Sequence, residues 1–136
     1  MKCITLTVDA VIPYRGKIVL IRRKNEPFKD FYALPGGIVE YGETVEDALL
    51  REVKEEVNLS GKIYKLVGIY SNPARDPRGH FVSACYIVLP EGEPEAGSDA
   101  KECRLFDLDS LPELAFDHSE MIKDAEGDLR GILSKM

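Results

Sequence analysis

The chain has 136 residues, 44% of them hydrophobic, and a formal net charge of -6. This length buries one substantial core and is short for two, so the sequence reads as a single domain, residues 1–136. The acidic balance opposes non-specific binding to polyanions and disfavours nucleic acid as a bulk partner, and no apolar run approaches the ~20 residues of a membrane span.

The start, MKCITLTVDAVI, lacks a small-residue cleavage site and reads as a strand, which makes a soluble, cytoplasmic protein the expectation. Residues Ile4 to Pro13 and Lys17 to Arg23 form two apolar, β-branched runs around the hairpin punctuation Tyr14, Arg15 and Gly16. Arg22 to Asp30 is charged, carries Pro27 and reads as a loop, and Phe31 to Leu34 is a short extended piece ending at Pro35, Gly36 and Gly37. Paired glycines let a backbone approach a ligand closely, although Pro-Gly-Gly is as often only a turn.

The next stretch, GIVEYGETVEDALLREVKEEVNL, carries helix chemistry in its second half. Thr44 is the expected N-cap, Glu46 and Asp47 suit the first turn, and Asn58 stands where a left-handed residue ends a helix, so the helix is placed over Val45 to Val57. At ~100° per residue Val45, Leu49, Val53 and Val57 share one arc, but Glu52 and Glu56 project within that same arc and Glu55 lies just beside it. Like-charged neighbours at these spacings repel, and more so where the face is partly buried. A hard divalent cation taking carboxylate oxygens, such as Mg²⁺, relieves that repulsion. A solvated acidic face is the bland reading of any three glutamates. Their place beside the apolar stripe and the preceding glycine loop favours the cation.

Gly37, Glu43, Arg51, Glu52, Val53, Glu55, Glu56 and Leu59 stand in the order and spacing of the box that marks the Nudix hydrolases, and the stretch resembles that family. The one departure is Asn58 where the family has glycine, a modest cost because Asn tolerates positive φ. The resemblance implies an α/β fold, an α/β/α sandwich with a mixed sheet, and hydrolysis of a nucleoside diphosphate linked to another group. It also implies Mg²⁺ as cofactor with Mn²⁺ as a substitute, a small-molecule nucleoside diphosphate derivative as partner, and a homodimer as one assembly. Carried over by position, Glu52 and Glu56 resemble metal ligands, Glu55 a further ligand, and the Gly36 carbonyl a backbone ligand. Arg51 resembles the arginine that braces the glutamates, with Glu43 part of the same scaffold. The catalytic base is either a box glutamate, Glu52 or Glu55, or a later acid, for which Asp99 and Glu102 are the candidates.

Beyond the box, Lys62 to Tyr70 and Phe81 to Leu89 read as strands flanking the polar loop SNPARDPRGH, Ser71 to His80. That loop looks similar to the corresponding loop of ADP-ribose pyrophosphatases, a subgroup marked by a proline downstream of the box, for which Pro73 and Pro77 both qualify. Arg75 and Arg78 are candidate forks for phosphate or ribose oxygens, His80 a residue that orders the loop, and Tyr32 and Phe81 candidates to stack on adenine. Plain surface or core roles are the alternative for each. Pro90 to Lys101 is an acidic loop, Arg104 to Asp107 a short strand, and a helix follows from Asp117, with Asp117 or Ser119 as cap. Strands, helix, strands, helix point on their own to a mixed sheet with helices on its faces. Cys3, Cys85 and Cys103, odd in number and far apart, read as buried free thiols.

Overall fold

The computed structural model describes residues 2–95 and 100–136. In chain order these form β1 (Thr5–Val11), β2 (Pro13–Tyr14), β3 (Lys17–Arg23), β4 (Tyr32–Ala33), β5 (Gly36–Ile38), α1 (Val45–Val57), β6 (Ser60–Tyr70), β7 (Phe81–Glu91), β8 (Ala100–Phe106) and α2 (His118–Leu133).

The strands divide between two sheets. One has the order β5-β1-β7-β6 and is mixed, because β1 runs parallel to β7 and antiparallel to β5. The other is built on β3, which pairs antiparallel with β2, β4 and β8. The apolar run Ile4 to Pro13 is therefore not one strand of a simple hairpin. It breaks at the buried Ile12, so that β1 joins the first sheet and β2 the second. Pro13 has no N–H to continue a ladder, and Arg15 and Gly16, at φ 46° and 81°, make the tight turn from β2 into β3. β7 lies inside its sheet, with Ser83 to Val88 buried, which is why its apolar run is continuous rather than alternating.

α1 begins and ends as its sequence dictates. Thr44 Oγ1 accepts the Asp47 amide at 3.0 Å, and Asn58 adopts φ 54° and ψ 36° while its N–H bonds the Lys54 carbonyl at 3.1 Å. Ala48, Leu49, Val53 and Val57 bury against one core together with Val8, Ala10 and Ala84. Met121, Ile122, Ala125 and Leu129 of α2 bury in a second core with Val11, Leu20, Cys85 and Ile87. Adjacent residues of β1 thus face different cores, each covered by its own helix, giving the α/β/α layering. Asp117 occupies the cap position of α2 without capping it, because its carboxylate is spent elsewhere. All three cysteines are free; Cys85 is buried and Cys103 half-buried, but Cys3 is exposed because it precedes β1 and reaches neither core.

Candidate active site

Gly36 and Gly37 lie in an edge strand, β5, and not in a turn; neither has the positive φ that glycine alone tolerates well. Their smallness is needed for another reason. A Cβ on Gly36 would meet Val8 O at 2.1 Å and Asp9 Oδ1 at 2.5 Å, and a Cβ on Gly37 would meet the Glu52 carboxylate at 2.4 to 2.6 Å. The two glycines leave room for two carboxylates on either side of one strand. The Gly36 amide points off β1 and donates to Glu56 Oε1 at 3.0 Å. In an antiparallel strand the carbonyl of the same residue faces the same side, so Gly36 presents its oxygen beside Glu56 as well.

Glu52 and Glu56 are 9% and 6% exposed, on the face of α1 that packs on the sheet. Arg51 gathers the surrounding acids. It holds Glu43 with a bidentate fork at 2.7 and 2.9 Å, Glu52 at 2.7 Å, Glu55 at 3.2 Å and the Ile38 carbonyl at 3.1 Å. Its hydrogen bond draws the Glu43 carboxyl down to about 2, and the Glu43 and Glu52 partners in turn keep the guanidinium charged. Among the described residues no three acidic, histidine or cysteine side chains converge as a ready cage for an ion. The donor set nonetheless fits a hard divalent cation: Glu52, Glu55, Glu56 and the Gly36 carbonyl are all oxygens, at a face where carboxylates crowd on one helix.

Beside this shelf lies a cavity of about 150 Å³ that shares Gly36, Gly37, Ile38 and Glu56 with it. Ile21, Leu34, Phe81 and Phe116 give it apolar walls, and Arg23, Arg75, Arg78, Asp9, Asp76 and His118 its polar groups. Burial pushes the Asp9 carboxyl up to about 7 and the His118 imidazole down to about 3. Ser83 Oγ donates to Asp9 Oδ2 at 2.5 Å, and His118 Nε2 lies 3.4 Å from Asp9 Oδ1. The Arg23 guanidinium stands 4.9 Å from the Phe116 ring, while its Nε donates to Pro27 O at 2.7 Å.

The expected substrate residues separate into three groups. Arg78 and Phe81 both line the cavity, with the guanidinium stacked 4.6 Å from the ring centroid, so Phe81 already carries a partner on its face. Arg75 also lines it, but its fork is committed to Asp117 at 2.8 and 2.6 Å, and the Arg78 fork to Asp76 at 3.0 and 2.7 Å. His80 orders the loop through Ser71 O, 3.0 Å from Nε2, and does not line the cavity. Tyr32 and Glu102 lie outside it, hydrogen-bonded to each other, with Tyr32 edge-on to Phe106 and Glu102 opposite Arg22. Strand pairing of β3 with both β4 and β8 is what brings them together there. Asp99 lies outside the described residues.

The NUDIX domain model matches residues 4–125. The chain belongs to the Nudix family. It is 56% identical over 120 residues to an ADP-ribose pyrophosphatase of Methanocaldococcus jannaschii, covering 88% of this chain and 71% of that protein. The Nudix domain of Shewanella oneidensis NrtR complexed with ADP ribose superposes with a TM-score of 0.85 at 29% identity, over 95% of this chain and 90% of that one. A bifunctional NMN adenylyltransferase/ADP ribose pyrophosphatase of Francisella tularensis, complexed with AMP and a Mn ion, gives the same score at 28% identity, and this chain spans 43% of its length. Nudix hydrolases generally use divalent metals, which agrees with the oxygen donors on the glutamate shelf.

Several residues of this Nudix site are absent from the expectations drawn from sequence: Asp9, Arg23, Asp76, Phe116, Asp117 and His118. One had a signal. An acid in the middle of TLTVDAVI is costly to bury unless it is bonded or used, and Asp9 stands out on that ground. Of the others, Arg23 ends β3 and Asp76 pairs with the nearby Arg78, while Phe116, Asp117 and His118 reach the site from the start of α2, far along the chain from the strands and loop they meet.

Proposed function

We propose that this Nudix chain hydrolyses the pyrophosphate of ADP-ribose to AMP and ribose 5-phosphate, with Mg²⁺ as the working ion and Mn²⁺ as a substitute. The observation that carries the reading is the shared wall formed by Gly36, Gly37 and Glu56, which sets the glutamate shelf directly against a cavity of sugar or base size. The 56% identity to a protein named ADP-ribose pyrophosphatase supports the substrate.

Glu52, Glu56, Glu55 and the Gly36 carbonyl would hold the cation, which supplies charge neutralisation at the pyrophosphate and a more acidic attacking water. Arg51, fixed by Glu43, keeps Glu52 and Glu55 aimed at the same place. Glu55 is the most exposed of the three and is tied to Arg51 at 3.2 Å, so it is the carboxylate with room to take the water's proton. The water oxygen bonds to one phosphorus, the bridging P–O bond breaks, and each product leaves as a phosphomonoester. On the cavity side, Arg78 and Phe81 form the wall against which the rest of the substrate packs. The partner is thus a small nucleotide derivative rather than bulk nucleic acid or a membrane; a cytoplasmic setting, with a homodimer as one assembly, completes the proposal. No helix among the described residues is long and apolar enough to cross a membrane.

The test is a side-by-side assay of ADP-ribose, ATP and dGTP at one Mg²⁺ concentration, with mass spectrometry of the products. Expected is a kcat/KM for ADP-ribose at least ~10-fold higher, which asks for only about 1.4 kcal/mol of differential transition-state binding. Faster release of pyrophosphate from a triphosphate would make the protein a triphosphate sanitiser. Binding of ADP-ribose without turnover would make it a sensor. The complete set of box glutamates speaks for catalysis.

A further inference from the structure

Two consecutive residues at the start of α2 hold two different parts of the site. The Asp117 side chain makes no bond to the helix it begins, and both its carboxylate oxygens accept from Arg75, at 2.8 and 2.6 Å, in the loop before β7. The Arg75 side chain is 5% exposed, so this fork is a fixed strut. His118, 4% exposed, turns the other way. Its Nδ1 accepts the Leu34 amide at 3.0 Å, which leaves the ring proton on Nε2, facing Asp9 Oδ1 at 3.4 Å.

Both contacts of His118 flank Gly36, one from the chain just before it and one from the neighbouring strand β1. The Leu34 amide precedes Gly36 by two residues, and Asp9 is the cross-strand partner of Gly36, with Oδ1 2.5 Å from the place a Gly36 Cβ would occupy. Gly36 in turn bonds Glu56. The far oxygen of Asp9 is closed by Ser83, which is fully buried.

We propose that Asp117 and His118 are positioning residues that register the two halves of the site through the first turn of α2. Asp117 sets the Arg75 loop, and so the substrate wall; His118 sets the Gly36 strand against Glu56, and so the catalytic edge. Asp117 acts through Arg75, and His118 through Leu34 and Asp9. The inference rests on the reading of Gly36 and Glu56 as the metal edge of an ADP-ribose hydrolase.

Three variants separate the roles. H118N keeps an acceptor where Nδ1 stood, H118Q keeps a donor where Nε2 stood, and D117N weakens the strut. H118Q is expected to lower kcat by ~10-fold or more and to weaken Mn²⁺ binding, measured by calorimetry, by a similar factor, with KM for ADP-ribose within ~3-fold. H118N, which keeps the Leu34 bond, should restore kcat to within ~3-fold of wild type. D117N should do the reverse, raising KM by ~10-fold while kcat and Mn²⁺ affinity hold. In the metal-free protein, amide hydrogen exchange at Leu34 and Gly36 should quicken by ~10-fold in H118Q and stay unchanged in D117N. Equal behaviour of H118Q and H118N, or kcat and KM moving together in all variants, would overturn the proposal. Wild-type protein that fails to cleave ADP-ribose would defeat the functional reading instead, and the exchange and Mn²⁺ data would still decide the positioning roles.

Discussion

The glutamate helix and the cavity floor flank the same glycine strand, yet they solve the problem of placing charge in opposite ways. On α1 the acids are neighbours in the chain, grade from the buried Glu52 to the exposed Glu55, and share one arginine that reaches Glu43, Glu52 and Glu55. On the floor, Asp9, Ser83 and His118 come from β1, β7 and α2, are buried, and are compensated pairwise over long sequence separations. A helix face can lose one charge and still be a helix. A buried floor that loses one partner leaves an orphaned polar group. Changes on the first side should therefore appear in activity with the fold intact, and changes on the second in stability as well as in activity.

The largest effect expected on the helix side follows from Glu56→Gln. It removes a ligand charge and should lower kcat by ~1000-fold, about 4 kcal/mol of transition-state stabilisation. The amide oxygen still accepts the Gly36 N–H, and repulsion with Glu52 falls, so the metal-free protein should melt no lower than wild type. Full turnover at saturating Mg²⁺ would return Glu56 to an ordinary helix acid.

On the cavity side the two loop arginines should part company. Arg75→Ala strands a carboxylate that is 15% exposed and should destabilise the fold by about 3 kcal/mol in urea unfolding. Arg78, 46% exposed, is expected to cost under ~1 kcal/mol of stability when truncated, and to show instead as a raised KM for ADP-ribose. Equal melting of the two variants would erase the distinction between a strut and a substrate wall.

The glycines sharpen the comparison within a single strand. The atoms nearest an added methyl at Gly37 are those at the end of the Glu52 side chain, so Gly37→Ala should cost ~30-fold in kcat, about 2 kcal/mol, with little change in Tm. At Gly36 the methyl meets the Val8 carbonyl at 2.1 Å, which cannot move without opening the β1–β5 ladder, so Gly36→Ala should lose stability first. A Gly37→Ala protein that melts early with normal kcat would contradict this.

The same contrast decides how much was legible beforehand. The helix bounds, the Thr44 cap, the left-handed Asn58 and the membership of Glu52 and Glu56 in the buried face all follow from local spacing, and the structure has each of them. The order of strands and helices was readable for the same reason. The division into two sheets was not, because whether Ile4 to Pro13 stays in one ladder depends on what β3 and β7 offer as partners. Arg75 and Arg78 were visible as residues but not as half of two carboxylate pairs, since Asp117 lies far along the chain and Asp76 is as well suited to solvent as to a fork. Tyr32 and Glu102 illustrate the cost of reading from strand ends alone: each borders a candidate loop in sequence, and cross-strand pairing turns them toward each other.

The smallest effect is one of pH, and it isolates the floor from everything else. Asp9 is held at about 7 against an ordinary 3.8 because burial penalises its charged form, so the folded chain binds that proton more tightly than the unfolded one. Its contribution to stability therefore falls as pH rises from about 4 to about 7. His118, held at about 3 against 6.5 for the same physical reason, is neutral in the fold and protonated in the unfolded chain over that range. Its contribution rises with pH from about 3 to 6.5. The two slopes oppose each other between about 4 and 6.5 and largely cancel in the wild type. Substituting either residue should unmask the other. The Tm of metal-free D9N minus that of wild type should increase from pH 4.5 to 6.5, and the same difference for H118N should decrease, while carboxylates elsewhere titrate alike in all three proteins and drop out. Two difference curves of the same sign, or two flat ones, would mean that burial does not hold Asp9 and His118 in their neutral forms.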